Sequence, residues 1–469
     1  MKAIDADFTK TFLFPLALED FLPPTHPARF IREFAEYILP NVGLEWKNED
    51  GKGRPPYAAG LLFRVWLYGY MHRITTVRKL EAACQEHMGL LWLTGMEIPD
   101  HNTLWRFWNK NRTTIERVFR QMMELAVQAG MIGLALHAVD GTKIQAQGST
   151  RTAWSRRKLD KFLARLDQQI ADMGTAIGSH EAGQDEGYRL GEKLANKQAL
   201  RQTIAEKLQT LTFHQTDDMN PHEPEAQLMK GGRLGYNAQM VADAKHGMIV
   251  AQTVVTDPFD QGHLMPMLDL VEEQLGRTAT ETVADGGYNT EQTFVEAEAR
   301  NRSITLAAGP ADAESNPDKP YHPSRFHYDQ DKNVFLCPQG QELVFETTKS
   351  KGEARKVDVY RCLSCANCPV APACTSSSRG RTIERSQHHL LVERSRHKRR
   401  SELGRANLKK RCVVGERPFA VIKRHLGFVR FRSGGLPNAL AEWTWICLTF
   451  NLKILLAHWQ REVTRSVAF

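Results

Sequence analysis

Three carboxylates stand in contexts that could do chemistry. Asp140 closes the apolar run Leu134–Asp140 and precedes Gly141-Thr142-Lys143. Asp285 closes Thr282-Val283-Ala284 and precedes Gly286-Gly287-Tyr288, and Glu416 lies in the basic, helix-forming stretch Arg411–Lys423. A short apolar run ending on an acid reads as a buried strand that delivers a carboxylate at its tip. Phosphoryl transfer on DNA uses two divalent ions about 4 Å apart, one activating the nucleophile and one stabilising the leaving oxygen. Mg²⁺ takes a few carboxylates plus waters and phosphate oxygens, so two Asp and one Glu from distant segments suffice. A plainer reading fits the same spacing. The chain has 54 acidic residues, and most aspartates at strand ends cap turns or face solvent.

The cysteines form a second constellation. Of eight, Cys337, Cys362, Cys365, Cys368 and Cys374 cluster, whereas Cys84, Cys412 and Cys447 are scattered. No apolar leader opens Met1–Lys10, so a local cluster reads as a metal site before it reads as disulfides, and the expected compartment is a bacterial-type cytoplasm. Cys337-Pro338-Gln339-Gly340 is similar to one knuckle of a zinc ribbon, and Cys365-x2-Cys368-Pro369 with Cys374 to the other half. Four thiolates satisfy a structural Zn²⁺. Cys362 competes for a place among the four. The alternative is a set of reduced thiols packing a small β-rich insertion.

Positioning these groups takes several kinds of element. Up to about residue 130 the pattern is helical: Phe30, Ile31, Phe34, Tyr37 and Ile38 follow the entry signal Thr25-His26-Pro27. Asp100 is placed to cap a helix near 101–110. Short helices with basic ends are compatible with a helix-turn-helix DNA-binding unit, as they are with any helical bundle. The spacing then predicts strands at 134–140, 235–241, 248–255 and 282–285, with Asp243–Gly247 as a hairpin turn. A basic helical hairpin is predicted over 151–212, broken by the Gly-rich connection Gly174–Gly191. The apolar stretch Leu440–Trp459 contains Glu442, Asn451, Lys453 and His458, which marks a buried or interfacial helix rather than a membrane span. Trp108, Trp443 and Trp445 read as packing, and so does Trp105.

The expected fold class is α/β, a mixed sheet flanked by helices, preceded by an all-α unit. Four regions follow: a helical region 1–130; an α/β region 131–300 with the helical insertion 151–212; a Cys-containing insertion 301–400; and C-terminal helices over 401–469. The formal charge of +8 is a mild bias toward polyanions. Its distribution says more, because the positive residues gather at 151–165, 396–411 and 423–432. Arg106, Lys110, Arg112, Lys143, Arg151, Arg156, Arg157, Lys158, Lys161, Arg430 and Arg432 are the candidate phosphate contacts, with Arg379, Arg381 and Arg385 in the Cys-containing insertion. Exposed, solvated helix faces account for the same charges.

Ordered motifs sharpen this. Gly53-Arg54-Pro55-Pro56-Tyr57, Leu67-Tyr68-Gly69-Tyr70, Arg78-Lys79-Leu80-Glu81, Pro99-Asp100-His101-Asn102-Thr103 and Arg106-Phe107 resemble the N-terminal helical domain of bacterial insertion-sequence transposases. Val139-Asp140-Gly141-Thr142-Lys143, Gly235-Tyr236-Asn237-Ala238-Gln239, Lys245-His246-Gly247 and Ala284-Asp285-Gly286-Gly287-Tyr288 are similar to that family's RNase H-like catalytic domain. Glu416-x2-Phe419-x3-Lys423, with Gly427, Arg430 and Arg432, resembles its terminal Glu helix. The resemblance runs over roughly residues 15–455.

It implies an RNase H-like catalytic fold and a DDE triad of Asp140, Asp285 and Glu416 holding two Mg²⁺ or Mn²⁺ ions. Lys423 would meet the DNA near the scissile phosphate. The implied substrates are duplex DNA at terminal inverted repeats and at a target, handled by a homodimer or larger synaptic assembly, with no membrane partner. The family's usual Arg four residues before the Glu is replaced here by Cys412, with Arg411 beside it. A transposase-derived DNA-binding regulator without cleavage is the other expectation.

Overall fold

The computed structural model describes residues 17–46, 55–148, 154–179, 184–214, 218–220, 223–312, 314, 316, 318–351 and 355–467. The motif residues Gly53 and Arg54, and Arg151, lie outside these.

Six helices come first: α1 (Pro27–Val42), α2 (Ala59–Met71), α3 (Val77–Glu86), α4 (Met88–Thr94), α5 (His101–Lys110) and α6 (Thr114–Gln128). Helix α1 starts where predicted. His26 Nδ1 accepts the Ala28 N–H at 3.1 Å, Pro27 occupies the first turn, and Phe30, Ile31, Phe34, Ala35 and Ile38 bury one face. Asp100 Oδ1 accepts the Asn102 and Thr103 N–H groups at 2.9 Å each, capping α5. That helix buries Leu104, Phe107 and Trp108, while Trp105 points outward and is 54% exposed. Helical spacing puts 104, 107 and 108 on one stripe and leaves 105 off it, so Trp105 is not core.

The main sheet begins with β1 (Leu136–Gln145). The excursion β2 (Trp154–Ser155), α7 (Arg156–Ser179), α8 (Gln184–His214) and β3 (Asp218–Met219) follows. Both helices extend well into the connection that the glycines predicted between them. The sheet then resumes with β4 (Gln227–Met229), β5 (Arg233–Asp243) and β6 (Ile249–Val255). Helix α9 (Leu264–Leu275), β7 (Glu281–Ala284), α10 (Glu291–Ala299) and β8 (Ile304–Leu306) complete it. Strands β4 and β6 share one edge of β5; the order then runs β5-β1-β7-β8. Pairing is antiparallel through β6, β5 and β1, and parallel from β1 through β7 to β8. Asp140 is therefore mid-strand rather than terminal. Gly141–Gln145 continues against β5 after the parallel partner β7 has stopped.

A second, antiparallel sheet of β9 (His327–Asp329), β10 (Val334–Leu336), β11 (Glu342–Lys351), β12 (Arg355–Cys362) and β13 (Thr382–Ser386) lies between β8 and the last helices. It has its own core of Phe326, Phe335, Leu343, Tyr360 and Ile383, against which Cys337, Cys365 and Cys374 pack. After the short α11 (Ala371–Cys374) come α12 (His389–Arg400), α13 (Glu402–Ala420), a π-helical turn over Val421–His425, and α14 (Leu436–Val467).

Helix α14 ties the halves together. Its segment Leu436–Ser466 is long and apolar enough to cross a membrane, yet 78% of its apolar window is buried in the fold. Asn451 accepts the Ile249 N–H at 2.8 Å and donates to the Ile249 carbonyl at 2.7 Å, so one side chain saturates a peptide of β6. Leaving those two buried backbone groups unpaired would cost about 1–3 kcal/mol each. On its other side Trp445 stacks on Tyr70 of α2, with ring centroids 5.0 Å apart. One continuous core thus runs from Leu22 through the N-terminal helices and main sheet to Leu455.

Candidate active site

The last parallel rung of β1 and β7 pairs Val139 with Ala284. One residue further, each strand carries a carboxylate, Asp140 and Asp285. Even-numbered residues of β1 face α13: Leu136 and Ala138 pack with Val414, and Gly415 lies over Asp140. A Cβ at position 415 would sit 3.4 Å from the Asp140 Cβ, ordinary van der Waals contact, so the helix packs directly over this part of the strand. Glu416 is the next residue of that helix. Its carboxylate is 58% exposed and meets Arg411 Nη2 at 3.4 Å.

Burial pushes the Asp140 carboxyl up to about 6, and Asp285 and Asp260 push the same way. The Gly141 N–H, 2.8 Å from Oδ1, and the Arg411 guanidinium pull against them. A buried carboxylate crowded by two others gains from a cation. That donor chemistry fits a divalent ion. As placed, no group of three or more His, Cys, Asp or Glu side chains among the described residues is spaced to grip one ion. Asp285 Oδ1 is occupied by the Gly287 N–H at 3.0 Å, capping the turn Gly286–Tyr288.

Lys423 reaches this face from the π-helical turn and donates to Thr142 Oγ1. Burial lowers its ammonium below the usual lysine range, and the nearby Asp140 partly offsets that. Pro418 removes one ladder donor shortly before the helix widens at Val421. A regular helix would turn position 423 to another azimuth.

The opposite face of the same strands holds a carboxylate that the sequence reading missed. Asp260 Oδ1 accepts from Lys143 Nζ at 2.8 Å, Asn237 Nδ2 at 2.8 Å and Gln239 Nε2 at 2.7 Å. Burial works against its charge, yet these donors hold the carboxyl below the usual carboxylate range. Gln239 in turn accepts from Tyr288 Oη, which links Asp260 to the turn that carries Asp285. Gly141 makes room for the network, since a Cβ there would come within 2.7 Å of Asp260 Oδ1. A signal existed: Asn237 and Gln239 are two residues apart in an apolar strand and fully buried. Two buried amides on one strand face require a polar partner.

The other predicted contacts fall in different places. Lys143 is ion-paired with Asp260 rather than open to a ligand. Arg430 donates to the carbonyls of Ala146 and Gln147, closing the end of β1. Arg432 is exposed, with its backbone N–H on Glu442 at 3.0 Å. Arg106, Arg157, Lys158 and Lys161 are exposed, as are Lys110 and Arg156, each of which has a polar partner. Arg112 reaches Asn438 at the start of α14 at 3.3 Å. Of the second-sheet arginines, Arg381 bonds the Cys374 and Tyr321 carbonyls, and Arg385 lies 4.2 Å over the Tyr328 ring.

All five clustered cysteines line one small cavity of about 20 Å³ under the second sheet. The N–H groups of Gln339 and Gln341 point at Cys337 Sγ, each at 3.3 Å, and that of Arg381 at Cys365 Sγ at 3.4 Å. Burial raises the Cys374 thiol, with Arg381 opposing, and burial pushes Cys362 up to about 11. N–H groups aimed at sulfur suit thiolate, but as placed these five cysteines do not form a group spaced to grip one ion.

Two family models match the chain. Residues 16–110 match the transposase domain DUF772, and residues 336–456 match the transposase DDE domain. The second match contains Glu416 and Lys423 and ends before α14 does; Asp140 and Asp285 lie outside both. Among solved structures, the chain is similar to a piggyBac transposase synaptic complex with hairpin DNA. The identity is 8%, over 92% of this chain and 75% of that one, with a TM-score of 0.30. No curated protein matches.

Proposed function

From membership of the insertion-sequence DDE transposases, the family to which both matched segments point, we propose that this protein cuts and rejoins DNA at the ends of a mobile element. The single observation that carries this is the juxtaposition of Asp140 and Asp285 one step beyond the Val139–Ala284 rung, under the helix of Glu416. The half-antiparallel, half-parallel sheet flanked by helices supports an RNase H-like reading of the catalytic fold.

Asp140, Asp285 and Glu416 would hold the divalent ions, which when bound supply an activated water and stabilise the departing oxygen. Lys423, beside Asp140, would grip the scissile phosphodiester and offset its charge. Arg411 would hold Glu416 near Asp140. In the first step a water oxygen bonds to phosphorus, the P–O3′ bond breaks, and the element end keeps a free 3′-hydroxyl. In the second, that hydroxyl attacks a target phosphodiester, forming one P–O bond and releasing a target 3′-hydroxyl. Both are in-line displacements that depend on positioning, and no protein nucleophile is required. The N-terminal helices, with Arg106, Lys110 and Arg112, would grip the terminal repeat, and Arg156 and Arg157 flanking DNA. Synapsis of two ends calls for a dimer or larger assembly. The cytoplasm, over the nucleoid, is the compartment where that substrate is met.

The test is strand cleavage of element-end duplex by purified protein. Nicking is expected in Mg²⁺, none in chelator, and at least about a hundredfold slower nicking for Glu416→Gln. Tight binding without nicking by wild type would instead indicate a DNA-binding regulator.

The thiol cavity supports a structural Zn²⁺ held by Cys337, Cys365, Cys368 and Cys374, with Cys362 as a rival ligand. Elemental analysis is expected to find one zinc per chain, lost with Cys368→Ser. Zinc-free, fully folded wild type would remove the ion from this account.

A further inference from the structure

A cavity of about 540 Å³ lies away from the carboxylates. It is a groove between α13, α14 and the β5–β6 turn. One wall carries Lys245 and His246, one carries Arg417, and α14 presents Lys453, His458 and Arg461 at helical spacing. Val421, Phe450 and Ile454 form the apolar floor, and no carboxylate lines it. The lining is of one sign in a chain that carries 62 basic and 54 acidic residues. Arg417, Lys453 and Arg461 are exposed, and none has an ion pair among the described residues. The charges near Lys453 are cationic: burial lowers its ammonium and Arg73 adds to the effect. Assembling like charges without partners costs folding free energy, which an anionic ligand would return.

We propose that this groove is a second DNA-backbone site, which carries the duplex past α13 to the carboxylates. Continuity argues for DNA over another polyanion. Arg417 follows Glu416 directly in α13, so a strand whose scissile phosphate lies at Glu416 meets Arg417 within a few phosphates. Lys453, His458 and Arg461 extend that path by about 12 Å along α14, at 1.5 Å per residue, roughly three to four phosphate steps of a strand measured along the duplex axis. The inference rests on the reading that the protein acts on DNA.

The experiment measures equilibrium binding of the full chain to duplex DNA in chelator, as a function of salt, with terminal-repeat duplex and with unrelated duplex. The variant is Arg417→Gln/Lys453→Gln/Arg461→Gln. Three lost phosphate contacts lower the slope of log K against log salt by roughly 2.7 and weaken binding at least about tenfold near 0.1 M salt. An equal drop with both duplexes means the groove holds DNA regardless of sequence, as a target path does. A drop confined to the terminal-repeat duplex means that it holds the element end. An unchanged slope with both, in a variant that melts like wild type, overturns the proposal and leaves the groove to an acidic peptide. Arg461→Gln alone, on the exposed last turns of α14, repeats the test with an expected drop of about 0.9 should the triple variant misfold. Failure of wild type to nick element-end DNA in Mg²⁺ is a separate result, which counts against the proposed function rather than the groove.

Discussion

Asp140→Asn is expected to lower single-turnover cleavage of element-end DNA by roughly a thousandfold or more, while the melting temperature of the metal-free protein does not fall. The first part follows from what the residue would do. A carboxylate that helps hold the ions contributes several kcal/mol of charge stabilisation in the transition state, and about 4 kcal/mol is three decades in rate. The second part follows from where the residue sits. Asp140 is crowded by Asp285 and Asp260 and is opposed chiefly by one backbone N–H and Arg411. Removing a buried like charge relieves the metal-free fold, and the amide keeps the shape of the side chain. Stability and activity therefore move in different directions, which is the mark of a residue retained for function. Thermal melting in chelator and in Mg²⁺ separates the terms: wild type is expected to gain stability from Mg²⁺ and the variant to gain little. Cleavage within about tenfold of wild type would remove Asp140 from the site.

The same crowding gives Arg411 a place. The family pattern expects an arginine four residues before the glutamate, and here that position is the exposed Cys412. Arg411, 14% exposed, reaches Glu416 Oε1 and acts electrostatically on Asp140. One position earlier on a helix means about 1.5 Å along the axis and about 100° around it, and the long arginine side chain still brings Nη2 to 3.4 Å from Glu416 Oε1. The departure in sequence is thus absorbed by side-chain reach.

What could be read from the sequence was local. The cap at Asp100, the entry at His26-Pro27, the Asp243–Gly247 turn and the run into Asp285 depend on residues a few positions apart, and they stand as expected. Other features depend on partners far along the chain. Strand β1 continues through Gly141–Gln145 because β5 pairs it there, which no local pattern announces. Lys143 carries the charge of a phosphate contact, but Asp260 claims it from 117 residues away. Lys423 reaches Thr142 only because the helix widens into a π turn after Pro418. Arg430 looked like a free cation and instead closes a strand end through backbone carbonyls. Charge is visible in a sequence; whether the fold has already used it is not.

Asp312→Ala is expected to cost about 3–5 kcal/mol, the largest stability loss of any single change considered for this chain. Asp312 accepts from Arg396 Nε at 2.9 Å, Arg399 Nη1 at 3.0 Å, the Gly309 N–H at 3.0 Å and Asn289 Nδ2 at 3.2 Å. Its side chain is 7% exposed and that of Arg399 6%. Truncation leaves a buried guanidinium without its main counter-charge, so the penalty is that of the orphan rather than of the bond. Burial opposes the Asp312 charge, but Arg399 and Arg396 hold the carboxyl below its usual range. A depressed carboxyl stabilises the fold above its unfolded value, about 3.9, and loses that contribution as pH falls through the lower folded value. The gap between wild type and variant should therefore be widest near pH 7 and narrow below about pH 4. Urea midpoints across that range test the size, and hydrogen exchange tests the place. Protection is expected to fall first in α12, whose Arg396 and Arg399 lose their anchor, and then in α13, which follows it through the Ser401 cap. Since α13 carries Glu416, cleavage should decline with that protection even at temperatures where the chain stays folded. A loss under about 1 kcal/mol with α12 protection intact would mean that Glu314 and Glu393, which also bind Arg399 and Arg396, suffice to hold the helix.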